Sequence, residues 1–134
     1  MNIQSKVLII VAAIILIILI TYYFVFPVMI KKIWKTTHKD IKDITIEGYV
    51  YDMNKNSLDN YTIYITNYYY EGGDGDSFMG GEITPVLTDE KGHYSIKLDK
   101  SCNIQIDNVD EGYSKSLVVQ DITKAENKID FYLK

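Results

Sequence analysis

The chain has 134 residues and a formal net charge of −4, with one cysteine, one tryptophan and twelve tyrosines, and every one of its fourteen basic residues is lysine. A lone cysteine excludes an intramolecular disulfide, and an acidic balance without arginine argues against nucleic acid as a partner. Behind an apolar N-terminus about 93 residues remain, room for one small domain with a modest core and not for two.

The first element is the apolar run at residues 7–26, in which 15 of 20 residues are Ile, Leu, Val or Phe and none is charged. That is the length and composition of a membrane-spanning helix, and on insertion scales it favours the bilayer by roughly 5 to 9 kcal/mol. It is longer than the apolar region of a signal peptide, and bulky Tyr22, Tyr23, Phe24 and Phe26 stand where small cleavage-site residues would be needed. It is also apolar all round, unlike a core helix with a polar back. The run is therefore read as a retained anchor, with Tyr22, Tyr23 and Trp34 at the headgroups and Pro27 ending the helix.

From Ile44 onward the pattern changes to strict alternation, the period of half-buried strands. Ile44, Ile46, Gly48 and Val50 share one face of a first strand, and Tyr61, Ile63 and Ile65 share one face of a second, with turn-forming residues 52–57 between them. Thr88-Asp89-Glu90-Lys91-Gly92 breaks the chain before the alternating Tyr94, Ile96 and Leu98, and Cys102, Ile104 and Ile106 follow at the same period. Leu117 to Val119 is a further short apolar run, and Ile129, Phe131 and Leu133 form a last amphipathic strand. Short strands with turn signals every 8 to 12 residues and no helical pattern predict an all-β sandwich.

These residues also carry a family resemblance. Ile46-x-Gly48-x-Val50-x-Asp52 followed by Leu58 and Ile63-x-Ile65, then Thr88-Asp89-x-x-Gly92-x-Tyr94-x-Ile96, then Gly112-Tyr113, resemble in order and spacing the carboxypeptidase regulatory-like domain, a transthyretin-like β-sandwich. The departures are Lys55, Ser57 and Asn60, at positions where that family usually has Gly, Pro and Gly; Asn54 and Asn60 can adopt left-handed conformations. The resemblance implies one seven-stranded Greek-key sandwich, within a range of six to eight strands, behind one transmembrane helix. The predicted divisions are a tail at 1–6, a transmembrane helix at 7–30, a basic juxtamembrane linker at 31–41 and the sandwich at 42–134. Such domains usually accompany enzymes, receptors or adhesive proteins outside the cytoplasm.

In physical terms the motif residues specify the fold. Asp89 can cap backbone N–H groups of its turn, Gly92 can supply a positive φ, and an inward Gly48 leaves room for a close neighbour.

Residues with chemical potential are few. The loop at 71–82 holds four carboxylates, Asp74 and Asp76 among them, and five glycines, but it lacks calcium-loop spacing and reads as a solvated surface loop. His38 and His93, with the single Cys102, make no zinc pattern. Ser77, Ser95 and Ser116 lack the G-x-S-x-G context of a nucleophile. The absence of arginine and the ending Phe131-Tyr132-Leu133-Lys134 set the chain apart from the hydroxyisourate hydrolases, the enzymatic branch of transthyretin-like proteins. No catalytic, metal or cofactor site is expected, and Cys102 is read as a small buried or half-buried apolar residue.

Tyrosine is the unusual abundance. Tyr49, Tyr51 and Tyr64 are expected on the outward face of the first two strands, with Tyr68, Tyr69 and Tyr70 leading into the acidic loop. Those six tyrosines, with Asp74 and Asp76, form the candidate surface for a protein partner or a glycan; cross-strand pairing that stabilises a solvated sheet competes with that role. The expectation is a non-catalytic, single-pass module bound to the lipid bilayer, an accessory subunit of a membrane or envelope assembly. A cytoplasm-facing regulator and a small enzyme of unknown class are the alternatives. Lys31, Lys32, Lys35 and Lys39 after the span favour a cytoplasmic domain; the signal-anchor form and the resemblance favour the extracytoplasmic side, which is preferred here.

Overall fold

A computed structural model describes residues 2–110 and 113–133; Gly112, and with it the Gly112-Tyr113 motif, lies outside them. Contacts divide the chain into two units, Met1–Thr37 and His38–Lys134.

The first unit is one continuous helical rod. Asn2 caps its start by accepting the Gln4 N–H at 2.6 Å. Helix α1 (Ile3–Ile20) passes through a π-helical turn (Thr21–Val25) into helix α2 (Phe26–Thr37), 35 residues in all, long and apolar enough to cross a membrane. The helix does not end at Pro27, as the proline predicts. The Phe26 N–H bonds to the carbonyl of Thr21, five residues back, and this wider turn admits a ring that would otherwise collide with the preceding turn. At the far end the Thr36 and Thr37 hydroxyls donate back to the carbonyls of Ile33 and Trp34 at 2.7 and 3.1 Å.

The second unit is all β. Its strands are β1 (Ile41–Tyr51), β2 (Thr62–Tyr70), β3 (Met79–Leu87), β4 (His93–Ser101), β5 (Asn103–Asp110), β6 (Tyr113–Asp121), β7 (Glu126–Lys128) and β8 (Phe131–Tyr132). One sheet has the order β4-β1-β7 with β8 also on β1, and the other is β3-β2-β5-β6. The sheets share one core. Ile44, Ile46 and Val50 from β1 and Tyr94 from β4 meet Ile63 and Ile65 from β2 and Ile104 and Ile106 from β5, all at most 1% exposed. The alternation thus marks the inward faces, and the two sheets form a sandwich.

One expected strand differs. Ile129, Phe131 and Leu133 do not form a single strand: β7 and β8 each run parallel to β1 and are separated at Ile129 and Asp130. The cause sits opposite, at Gly48, where a Cβ would overlap the Ile129 carbonyl. The Asp130 carboxylate accepts the Tyr49 N–H at 2.9 Å in place of a ladder bond, and the buried Tyr94 hydroxyl donates to the Ile129 carbonyl at 2.7 Å. The inward glycine is therefore a docking point for backbone, and splitting the last strand gives eight strands among the described residues.

The turns follow their side chains. Asp89 Oδ1 accepts the Lys91 and His93 N–H groups at 2.8 and 2.9 Å, and Gly92 takes φ +74°. Asp52 Oδ1 likewise accepts from Asn54 and Asn56, both at 2.8 Å. Asn60 adopts a left-handed φ of 49°, but in the first turn it is Lys55, not Asn54, that does so, with φ 65°.

Candidate functional site

The predicted aromatic face separates into two. Tyr49 and Tyr51 lie on the outer side of β1, two residues apart, their rings stacked at 6.3 Å. Tyr64 alternates with buried Ile63 and Ile65 on β2, so it points outward from the other sheet. The three tyrosines cannot contact one ligand together, because the sheet pairing puts β1 and β2 in different layers.

What joins Tyr49 and Tyr51 instead is supplied by neighbouring strands. His93 faces Tyr49 across the β1–β4 pair with ring centroids 5.1 Å apart, and Tyr132 faces Tyr51 across the β1–β8 pair at 5.0 Å. The result is a diagonal strip, His93–Tyr49–Tyr51–Tyr132, over three strands. At one end Glu47 approaches the His93 Nε2 at 3.7 Å. At the other, Tyr132 borders an open pit of about 400 Å³ with Met53, Lys55 and Leu133, where Met53 is 78% exposed. His93 and Tyr132 escaped sequence reasoning because their membership depends on register; the alternation of Tyr132 with Phe131 and Leu133 was the available signal.

The tyrosines that lead into the acidic loop occupy a different place. Tyr68 packs over Gly81 across the β2–β3 pair. Tyr69 turns to the gap between edge strands β3 and β4, where Lys100 Nζ sits 4.7 Å from its ring centroid. Tyr70 is tied by its backbone: its N–H donates to the Asp40 carboxylate at 3.1 Å and its carbonyl accepts from Lys100 Nζ at 2.8 Å, with His38 beside its ring. Burial, then the charges of Cys102 and Asp40, raise the Tyr70 pKa. Burial likewise pushes the Cys102 thiol up, Asp40 adding to it, away from the reactive thiolate form.

Between β3 and β4 opens a polar cleft of about 460 Å³ lined by Asn67, Tyr69, Glu82, Thr84, Ile96 and Lys100, among others. Asn67 is only 6% exposed; its Nδ2 donates to the Lys100 carbonyl at 3.0 Å while its Oδ1 has no partner among the described residues. The cleft leaves Ile96 and Leu98 half-buried where the strand pattern alone predicts full burial.

The acidic loop is organised by one of its own carboxylates. Asp76 accepts the Gly72 N–H at 2.7 Å and the Phe78 N–H at 3.2 Å, and these bonds hold its carboxyl below the usual value. Gly73 and Gly75 take positive φ, and the Gly75 N–H donates to the His38 carbonyl. Asp74 is exposed. Among the described residues no three His, Cys, Asp or Glu side chains gather in a group that could hold a metal ion.

Helix and sandwich together define a class: a protein with one apolar helix fit to cross a membrane and one two-sheet β domain bearing an outward-facing, largely half-buried aromatic strip. No protein-family model matches the chain, and no curated protein does. Among solved structures it is similar to a candidate carbohydrate-binding protein from Pseudomonas aeruginosa, with 69% of this chain and 90% of that one covered, 9% sequence identity and a TM-score of 0.40.

Proposed function

We propose that this chain is a single-pass membrane protein whose sandwich is a non-catalytic binding module, an accessory subunit that recruits another protein through the strip His93–Tyr49–Tyr51–Tyr132. The observation that carries this reading is the strip itself: four rings from three strands, all outside the hydrophobic core, ending at an exposed methionine. Tyrosine gives large contact area at low entropic cost and keeps a polar tip. Tyr51 and Tyr132 lie near-parallel with centroids 5.0 Å apart, so the strip is pre-ordered before a partner arrives, and its hydroxyls and carbon surface together suit the mixed polar and apolar surface of a protein.

Carrying the family resemblance further, the domain at 42–134 is a transthyretin-like, Greek-key member of the carboxypeptidase regulatory-like family, joined by the 31–41 segment to a span at 7–30, with the domain on the extracytoplasmic side. The Asp89 and Gly92 turn and the close approach at Gly48 support that reading.

The test uses the two tyrosine faces as each other's control. Protein capture by crosslinking in native membranes should be lost when Tyr49, Tyr51 and Tyr132 are replaced by Ser, and should survive Tyr64→Ser. Equal capture by both variants would remove the strip from the proposal, and retention on immobilised polysaccharide by the same residues would replace a protein partner with a glycan. For topology, a cysteine at exposed Lys97 in a Cys102→Ser background should react with a membrane-impermeant maleimide in intact cells. Reaction only after permeabilisation would turn the domain to the cytoplasm.

A further inference from the structure

The helix is longer than a bilayer needs. About 20 residues cross the hydrocarbon, and this rod has 35, so a substantial part of it must lie outside. Within α2 the side chains sort into two faces. Phe26, Met29, Ile30, Ile33 and Trp34 recur at the i, i+3, i+4, i+7, i+8 spacing of one stripe, and each is between 43% and 58% exposed. Lys31, Lys32 and Lys35 share the other face, and the chain has no acidic residue before Asp40. A helix end standing free in water would leave that apolar stripe solvated, whereas a helix wholly in hydrocarbon would bury three ammonium groups; a helix end that passes through the headgroup layer, its lysines reaching the headgroups, avoids both.

We propose that the lysine face of α2, at Lys31, Lys32 and Lys35, binds the phosphates of anionic lipid headgroups where the rod leaves the membrane that it spans. Charge complementarity selects the occupant. A neutral lipid surface satisfies the apolar stripe alone, but an anionic one also gives each lysine a counter-charge, weighting the docked position about fivefold per lysine near the surface. Continuous helical bonding through the π turn at Thr21–Val25 carries the rod on from α1, so Lys31, Lys32 and Lys35 follow the apolar run at 7–26 on one unbroken helix.

Trp34, the only tryptophan, is on the apolar stripe and reports its depth. The full chain is reconstituted in vesicles of phosphatidylcholine alone or of phosphatidylcholine with phosphatidylglycerol, and Trp34 emission and its quenching by aqueous acrylamide are compared. The expected result is emission at shorter wavelength and weaker quenching in the anionic vesicles, with the difference abolished in about 1 M salt, where screening acts within roughly 3 Å. Replacing Lys31, Lys32 and Lys35 together by Gln should abolish it as well, and replacing them by Arg should preserve it. Identical spectra in the two vesicle types, or an anionic effect that survives the Gln variant, would overturn the proposal; the first result would leave a helix held by hydrophobic contact alone, or one that docks on protein.

Discussion

The two lateral edges of the sandwich are built in opposite ways. On one, β7 and β8 dock beside β1, and Gly48, Ile129, Asp130 and Tyr94 interlock through backbone contact and two side-chain hydrogen bonds. On the other, β3 and β4 are edge strands of different sheets, and a polar cleft stands between them; on its wall is the Asn67 oxygen that has no partner among the described residues. The closed edge depends on shape, so it should tolerate little change. The open edge is already loosely filled, and substitutions there should be absorbed.

The largest effect should come from Tyr94→Ala at the closed edge. The side chain is 1% exposed, packs on Phe131 and holds the Ile129 carbonyl, so its loss should cost about 3 to 5 kcal/mol, a large part of a stability of about 5 to 15 kcal/mol. Urea unfolding of the full chain in detergent, followed by the near-ultraviolet signal of its tyrosines, measures this; a wild-type midpoint would mean that the edge is not locked by Tyr94.

Gly48→Ala comes next. The added methyl meets backbone, which cannot swing aside, so about 1 to 3 kcal/mol should be lost, accompanied by faster amide exchange in β7 and β8 specifically. Uniform exchange across β1 to β8 would place the defect elsewhere.

Ile96→Ala is the matching change at the open edge. Because Ile96 is half-buried against the cleft, the cavity merges with existing space, and the loss should be about 1 to 2 kcal/mol, below the usual range for a core isoleucine. A cost equal to that of Tyr94→Ala would erase the distinction between the edges.

The smallest effect concerns the Asp89 turn, which ties β3 to β4 at one end of the open edge. His93 and Lys91 N–H groups hold the Asp89 carboxyl below its usual 3.8, so its charged form is favoured by folding. That contribution is complete above about pH 5 and is lost as pH falls through the depressed folded value. Asp52, held low by Asn56, and Asp76 follow the same sign. Thermal midpoints should therefore be level from neutral pH to about pH 5 and drop below about pH 4, and Asp89→Asn should shallow that drop. A midpoint that rises on acidification would reverse the sign of the argument.

The contrast between the edges also separates what could be read from the chain and what could not. The inward faces of β1, β2 and β5 follow from alternation, because a period of two reports one face directed to the core. The Asp89 turn and the room left by Gly48 were equally legible, since both are local. Pro27 misled: a proline signals a break only when the preceding turn stays α-helical, and a π turn relieves the clash. The aromatic surface was legible strand by strand but not as an assembly. Alternation shows that Tyr49 and Tyr64 each point outward, yet nothing local reveals that β1 and β2 belong to different sheets, or that His93 and Tyr132 flank the first pair. The cleft was invisible for the same reason, being formed by strands that do not pair.

The position of β1 has a consequence for how the protein is made. β1 directly follows the helical unit, yet its partners β7 and β8 lie near residue 130, and the bond from the Tyr49 N–H to Asp130 spans 81 positions. In the β3–β2–β5–β6 sheet the hairpins β2–β3 and β5–β6 pair neighbours in sequence and can form as they emerge. In the other sheet β4 can cover one side of β1 once residue 101 has emerged, but the opposite side stays unpaired until β7 and β8, and so almost the whole domain, have been synthesised. During that interval β1 offers an open edge to any chaperone or aggregating neighbour, and a ribosome stalled before residue 126 should leave a nascent chain whose sensitivity to protease centres on β1.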